Sequence, residues 1–381
     1  MIIENLDNNK LFIVYLLINI LKEKNIRGYL VGGAVRDLIL GEKVRDIDIG
    51  LEEDPKIIIP YIENHLISFT YHEKFNTSTL HFKNGESIDL IRCRKEKYLN
   101  NGGLPIVQPS NIRDDLFRRD FTINAMAIDL LNGEIIDYHF GKEDLVNKRL
   151  KKIHENSYLE DPTRIFRAVK YAMRYGLEIS DEDEIIQCIQ NGAIDTLSVD
   201  RIVKEILMIL EEDTWTEALC YLNELNIFKV NKEVLGKPNT LESYDNILLR
   251  ILNLFYSLER EEDKSILINN SIIPKEIKKG MGRYLYEKDI VEKLQLQNNN
   301  YNIYNILEKS TYIERVILLW NKKLKYKIIN FEKNLNNSKI LDENFIKSIK
   351  GKSGREINEI VKNIKKASLC TGIKGGNLKW L

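Results

Sequence analysis

Apolar and polar positions follow two different textures along this chain. Up to about residue 144, short apolar runs are broken by turn residues. Beyond it, apolar residues recur at helical spacing with almost no strand pattern. The run LFIVYLLINIL, Leu11 to Leu21, predicts a buried or interface helix ending near Gly28. YLVGG predicts a strand that meets Gly32 and Gly33, and the residues after it a helix ending near Gly41; RDIDIGL reads as a further strand. HFKNGESIDLI and IDLLNGEIIDY each set Asn-Gly between apolar or alternating segments, the pattern of a tight hairpin. Farther on, PTRIFRAVKYAMRYGLEI, SVDRIVKEILMIL and NFIKSIKG predict helices, while the Asn-rich LQLQNNNYNIYN reads as a loop. The fold class expected is therefore α+β, a domain on a small mixed or antiparallel sheet followed by an all-helical C-terminal region.

Within the strand VRDIDIG, residues two apart share a face. Ile47 and Ile49 point to a core while Asp46 and Asp48 project together, their Cα atoms about 6.6 Å apart. Two neighbouring carboxylates repel, and a divalent cation on their oxygens removes that cost most simply. Such a cation bridges triphosphate oxygens and activates an attacking hydroxyl. The same pattern also suits an exposed edge strand with acids on its wet face. Gly32-Gly33, at a strand-to-helix junction, allow close approach of backbone N–H groups to an anion. A purely structural turn has the same glycines. In DPTRIFRAVK, Asp161, Arg164, Arg167 and Lys170 recur every three residues along one side, with Ile165, Phe166 and Val169 on the apolar side. Asp161 before Pro162 also reads as a helix N-cap.

Composition narrows the picture. With 43% apolar residues over 381 positions, the chain can build real cores. Basic and acidic residues balance at 57 each, so net charge says nothing of partners. Its distribution says more: from Asn321 to Leu381, 15 Lys and Arg stand against 5 Asp and Glu, an excess of ten. That suits a phosphate-backbone footprint or a solvated helical surface. Cys93, Cys188, Cys220 and Cys370 lie far apart without C-x-x-C spacing, which points to free thiols in a reducing cytoplasm. The Leu11–Leu21 run is shorter than the roughly 20 residues of a membrane span and is interrupted by Asn19. Neither export nor a membrane anchor is expected.

On these residues the chain resembles a known family. GGAVRDLILGEKVRDIDIG is similar to the signature of the DNA polymerase β-like nucleotidyltransferase superfamily, in the form found in bacterial-type CCA-adding tRNA nucleotidyltransferases and poly(A) polymerases. DDLFRRDFTINAMAID, DYHFGKEDL and LEDPTRIFRAVKYAMRYG resemble further elements of that family in order and spacing, covering roughly the first 180 residues. Fainter echoes stand in SVDRIVKEI and in the terminal GKSGREINEIV and GGNLKWL.

The resemblance implies roles residue by residue. Asp46 and Asp48 match the carboxylates that hold two magnesium ions, and Asp89 falls where the superfamily has a third catalytic carboxylate or where a surface acid would stand. Gly33 and Arg36 match triphosphate contacts, and Arg119 a nucleotide-binding arginine; Arg118 and Asp120 suit a direct role and a structural ion-pair cluster equally. Asp161 and Arg164 match residues that pair with the incoming base, and Arg167 and Lys170 complete the nucleotide-binding side, Lys170 in place of a common arginine. Lys95 to Asp115 lies where the family has a flexible loop that takes part in switching from C to A addition. The implied domains are a catalytic domain over 1–144, a nucleotide-selecting helical domain over 145–212 and a tRNA-binding helical region over 213–381.

The resemblance implies an enzyme that completes the tRNA 3′-terminal CCA from CTP and ATP with Mg2+, in the cytoplasm, with no membrane and no obligate protein partner. CC-only, A-only and poly(A)-adding enzymes share the same motifs. A non-catalytic RNA-binding protein on the same fold would be marked by loss of Asp46 or Asp48, and both are present. A transferase that adenylylates a small molecule or protein would leave the arginine helix and the basic C-terminal segment without a purpose.

Overall fold

In order along the chain come α1 (Asn8–Lys24), β1 (Gly28–Val31), α2 (Gly33–Leu40), β2 (Ile47–Leu51), α3 (Ile59–Ile62), β3 (Leu66–His72), β4 (Thr77–Phe82) and β5 (Ser87–Arg92). This is a computed structural model, and it describes residues 2–232, 235–236, 247–282, 292–307, 324–338, 351 and 353–371. The strands β8 (Ala127–Asp129) and β9 (Ile135–Ile136) complete a seven-stranded sheet of order β3-β4-β5-β2-β1-β8-β9. It is antiparallel throughout except between β2 and β5, so the sheet is mixed. Both Asn-Gly segments form the hairpins their pattern predicts, with Gly85 and Gly133 at φ +90° and +79°.

The alternation in β2 does what its spacing demands. Ile47 and Ile49 are fully buried, whereas Asp48 between them is only half-buried. The helix α1 fills its apolar face with Ile13, Val14, Leu17 and Leu21, all buried, and is capped by the Asp7 side chain. No described helix is long and apolar enough to cross a membrane.

Residues after β5 build a second layer. Within residues 95–115, where the flexible loop is expected, β6 (Arg94–Lys97) and β7 (Ile106–Pro109) form an antiparallel ribbon around a connecting loop, and the chain runs into α4 (Ile112–Phe117). Ladder hydrogen bonds and the Asn111 cap of α4 give that segment its own structure.

The helical part opens with α5 (Gly141–Val146), β10 (Arg149–Leu150), α6 (Ser157–Glu160), α7 (Thr163–Tyr175), β11 (Glu178–Ile179), α8 (Glu182–Gln190), α9 (Val199–Leu210) and α10 (Trp215–Glu224). The apolar side of α7, with Ile165, Phe166 and Val169 buried, packs against α9 and α10. The chain divides into two compact units, Met1–Ile227 and Phe228–Leu381. Within the second, a separate core gathers Leu294, Ile303, Leu307, Leu324, Ile328, Phe331 and Leu335. The Asn-rich segment differs from its expected loop, because a helix, Asn300–Leu307, starts inside it and buries Ile303 and Leu307. The predicted helix NFIKSIKG and the terminal GGNLKWL lie outside the described residues, apart from Gly351.

Candidate active site

The turn between β1 and α2 places the first group. Gly32 has φ +73°, a conformation strained for any side chain, and a Cβ there would stand 2.5 Å from Nη1 of Arg119 and displace it. Gly33 then begins α2, and Arg36 follows one turn later, buried. Arg36 donates from Nε to Asp37 Oδ1 at 2.8 Å and from Nη1 to Asn124 Oδ1 at 2.5 Å, with its guanidinium 4.5 Å from the Tyr175 ring. Asp37 also accepts from the Tyr175 hydroxyl at 3.0 Å, which ties α2 to α7.

The acidic group lies one strand away. Asp46 is exposed just before β2. Asp48 on β2 pairs in register with Asp89 on the parallel strand β5. Burial pushes the Asp48 carboxyl up to about 6, with Asp89 and Asp46 adding repulsion while Arg119 opposes the rise. Asp89 Oδ1 is buried and has no hydrogen-bond partner. Among the described residues, no three or more His, Cys, Asp and Glu form a ready metal cage. The carboxylates of Asp46 and Asp48, with the unsatisfied buried Asp89 oxygen beside them, are hard oxygen donors that would suit a divalent cation.

The segment Arg118-Arg119-Asp120 divides its labour. Arg118 donates to Asp115 Oδ1 at 2.9 and 2.7 Å and to Glu96 at 3.3 Å, the structural ion-pair cluster. Arg119 donates to Asp115 at 3.0 Å and to the Asn124 carbonyl at 3.3 Å, while its buried Nε has no partner. Asp120 is likewise structural in its contacts: Asn124 Nδ2 at 3.0 Å and the Phe121 N–H at 2.8 Å reach Oδ1, and Arg167 reaches Oδ2. Burial alone would raise its carboxyl, yet Arg167 and Asn124 hold it down at about 2.

Along α7 the three-residue spacing brings its side chains to one wall. Asp161 stands just before Pro162, the N-cap residue of α7, and accepts from the Thr163 N–H at 3.1 Å and the Thr163 hydroxyl at 2.6 Å. Arg164 is buried, donating to Ser157 Oγ at 2.6 Å and the Arg118 carbonyl at 2.9 Å. The Asp120 charge raises Arg167, and burial followed by the Arg167 charge lowers Lys170.

These groups surround a cavity of about 820 Å3. Gly33, Arg36, Asp46, Asp48, Arg119, Asp161, Arg164, Arg167 and Lys170 all line it; Asp89 is not among its lining residues. Ten basic and eight acidic side chains share the described wall. That balance suits a polyanionic ligand carried with a cation. Asn124, Tyr171, Arg174 and Arg201 also line it and were not identified from sequence as site residues. For Arg201 the only signal was the fainter echo in SVDRIVKEI, and for Asn124 its place inside FTINAMAID.

Residues 28–151 match the poly A polymerase head domain. An A-adding tRNA nucleotidyltransferase of Geobacter sulfurreducens is 35% identical over 61% of this chain and 28% of its own length. An A-adding tRNA nucleotidyltransferase of Aquifex aeolicus is 30% identical over 90% of this chain and 44% of its own length. The chain thus spans less than half the length of these relatives. A solved tRNA-processing enzyme in an apo form is 26% identical, with a TM-score of 0.79 over 96% of this chain and 99% of that one.

Proposed function

The chain belongs to the bacterial-type tRNA nucleotidyltransferase and poly(A) polymerase family, and from that premise we propose that it adds the 3′-terminal CCA to tRNA from CTP and ATP without a nucleic-acid template. The observation that carries this reading is the single cavity on which Asp46 and Asp48, the arginines Arg36 and Arg119, and the Asp161–Arg164 side of α7 converge.

In this reaction the tRNA 3′-oxygen forms a bond to the α-phosphorus of the nucleotide. The bond from that phosphorus to the bridging oxygen of the leaving group breaks, and pyrophosphate departs. Asp46 and Asp48 would hold Mg2+, which when bound supplies charge neutralisation of the triphosphate and activation of the attacking hydroxyl. Arg36 and Arg119 orient the triphosphate beside Gly33, as guanidinium forks suited to phosphate. Asp161 accepts from the exocyclic amino group that cytosine and adenine share, and Arg164 donates to ring acceptors. Uracil and guanine present a carbonyl at that edge and leave the carboxylate unpaired, which disfavours them. Arg167 and Lys170 add positive charge farther along α7.

Residues 1–144 serve as the catalytic domain, 145–212 as the nucleotide-selecting domain and 213–381 as the tRNA-binding region. The basic excess after Asn321 supports tRNA binding through shape and backbone contacts. The thiols Cys93 and Cys188 are free, which supports a cytoplasmic site of action. A second reading, A addition alone, is favoured by the A-adding names of the two relatives above.

Purified protein with Mg2+ is offered tRNAs ending at the discriminator base, at C and at CC, with each labelled nucleotide alone and in mixture. Completion to CCA on all three is expected. A added only to the CC end would assign the second reading, C on the first two alone a CC-adding enzyme, and long A tails a poly(A) polymerase. No incorporation with tRNA still bound would overturn the enzyme reading in favour of a non-catalytic RNA-binding protein.

A further inference from the structure

We propose that Arg201 is a positioning residue that ties the loop between β6 and β7 to the Asp161 carboxylate, so that loop docking and nucleotide choice are set by one guanidinium. The proposal rests on the function above, in which Asp161 reads the base.

Arg201 stands on the first turn of α9 and lines the cavity. Its Nη2 donates to Asp161 Oδ1 at 2.6 Å and its Nη1 to the Gly102 carbonyl at 2.6 Å. Gly102 is docked by two further features. Its N–H is shared between the carbonyls of Leu159 and Glu160, each at 3.2 Å, the two residues that lead into Asp161. Its φ is +68°, and a Cβ there would overlap the Thr196 side chain, whose hydroxyl is held by the Ala193 carbonyl. The loop tip therefore fits its seat only as glycine.

The consequence falls on Asp161. Three donors converge on Oδ1, namely the Thr163 N–H, the Thr163 hydroxyl and Arg201, which leaves Oδ2 as the oxygen for a ligand in the cavity. The torsion that turns a carboxylate is soft, so each donor on Oδ1 narrows its range. Arg201 adds a charged donor to that same oxygen, and its fork joins the Asp161 carboxylate to the loop carbonyl of Gly102. Undocking the loop removes one arm of that fork, and removing Arg201 loosens both the loop, which keeps its Gly102 N–H contacts, and the carboxylate, which keeps Thr163. A lysine offers a point charge and cannot bridge the two acceptors in the same geometry.

The test uses the full chain and three variants, R201A, R201K and G102A. Hydrogen exchange at residues 98–105, measured without nucleotide or RNA, reads the clamp. The ratio of kcat/KM for CTP or ATP to that for UTP or GTP, on an RNA the wild type extends, reads its consequence. R201A is expected to speed loop exchange and lower discrimination, each by about tenfold, with little change in thermal midpoint. R201K is expected to follow R201A, and G102A to do the same with Arg201 in place. Unchanged exchange in R201A, or a freed loop with discrimination at the wild-type value, overturns the proposal. If R201A does not fold, R201K and G102A decide by the same two readouts. A wild type inert on every RNA sinks the function proposed above; exchange in R201A then still judges the clamp, faster exchange supporting it and unchanged exchange overturning it.

Discussion

Asp120 and Arg167 are joined through one carboxylate oxygen, with Nε at 2.8 Å and Nη2 at 2.6 Å from Oδ2. Asp120 is buried, whereas the Arg167 side chain is 33% exposed, so solvent screens part of the pair. Asp120→Ala leaves the guanidinium without its carboxylate, with only the Tyr171 hydroxyl at 3.3 Å still accepting from it, and is expected to cost about 2–3 kcal/mol in urea unfolding at neutral pH. Because the folded carboxyl sits at about 2, well below its ordinary range, its contribution is complete above about pH 4. The gap between wild type and variant is expected to close as pH falls from 4 toward 2.

Asp48 behaves in the opposite sense. Its folded carboxyl is raised to about 6, so the ionised form opposes folding above that pH and the penalty disappears below about 4. Asp48→Asn is therefore expected to raise stability by about 1–3 kcal/mol at pH 7.5 in metal-free buffer. No gain is expected near pH 3.5. A loss of stability at pH 7.5 would show that the carboxylate is held by contacts the asparagine cannot replace.

Asp46→Ala and Asp48→Ala are each expected to lower nucleotide incorporation by about a thousandfold or more. Circular dichroism and tRNA binding in a filter assay are expected to match the wild type. Retained full activity in either variant would remove that carboxylate from the chemistry.

Arg164→Ala is expected to blur nucleotide choice more than it lowers turnover, read as the ratio of CTP or ATP to UTP or GTP incorporation. A stability cost of about 1–2 kcal/mol accompanies it, since Ser157 Oγ and the Arg118 carbonyl lose a charged donor. An unchanged preference would count against Arg164 as a base reader.

Gly32→Ala is expected to cost about 1–3 kcal/mol from backbone strain at φ +73°. The added Cβ also displaces Nη1 of Arg119, so the KM for nucleotide is expected to rise. Thermal unfolding and nucleotide titration of the same preparation separate the two effects.

Periodicity within a few residues was enough to locate much of this site. The Ile47, Asp48, Ile49 alternation, the Asn-Gly hairpins and the three-residue spacing from Asp161 to Lys170 are short-range patterns, and burial of one face enforces each of them. The family resemblance then supplied roles that spacing alone left open. Where propensity was the only guide it failed, as in the Asn-rich segment that becomes a helix once Ile303 and Leu307 enter a core.

Other relations depend on which distant segments meet. Asp48 stands beside Asp89 because β2 and β5 pair in parallel, and Arg119 comes to pack against Gly32 across the turn. Arg118 and Asp120, open to two readings as residues, bond to Asp115, Glu96, Asn124 and Arg167 once the elements close around them, and both still line the cavity. Arg201 gains its place by joining Gly102 to Asp161, three positions on three separate segments. Local spacing records which face of an element is buried; it does not record which partner that face finds, because many pairings bury the same apolar area and only packing of the whole unit selects one.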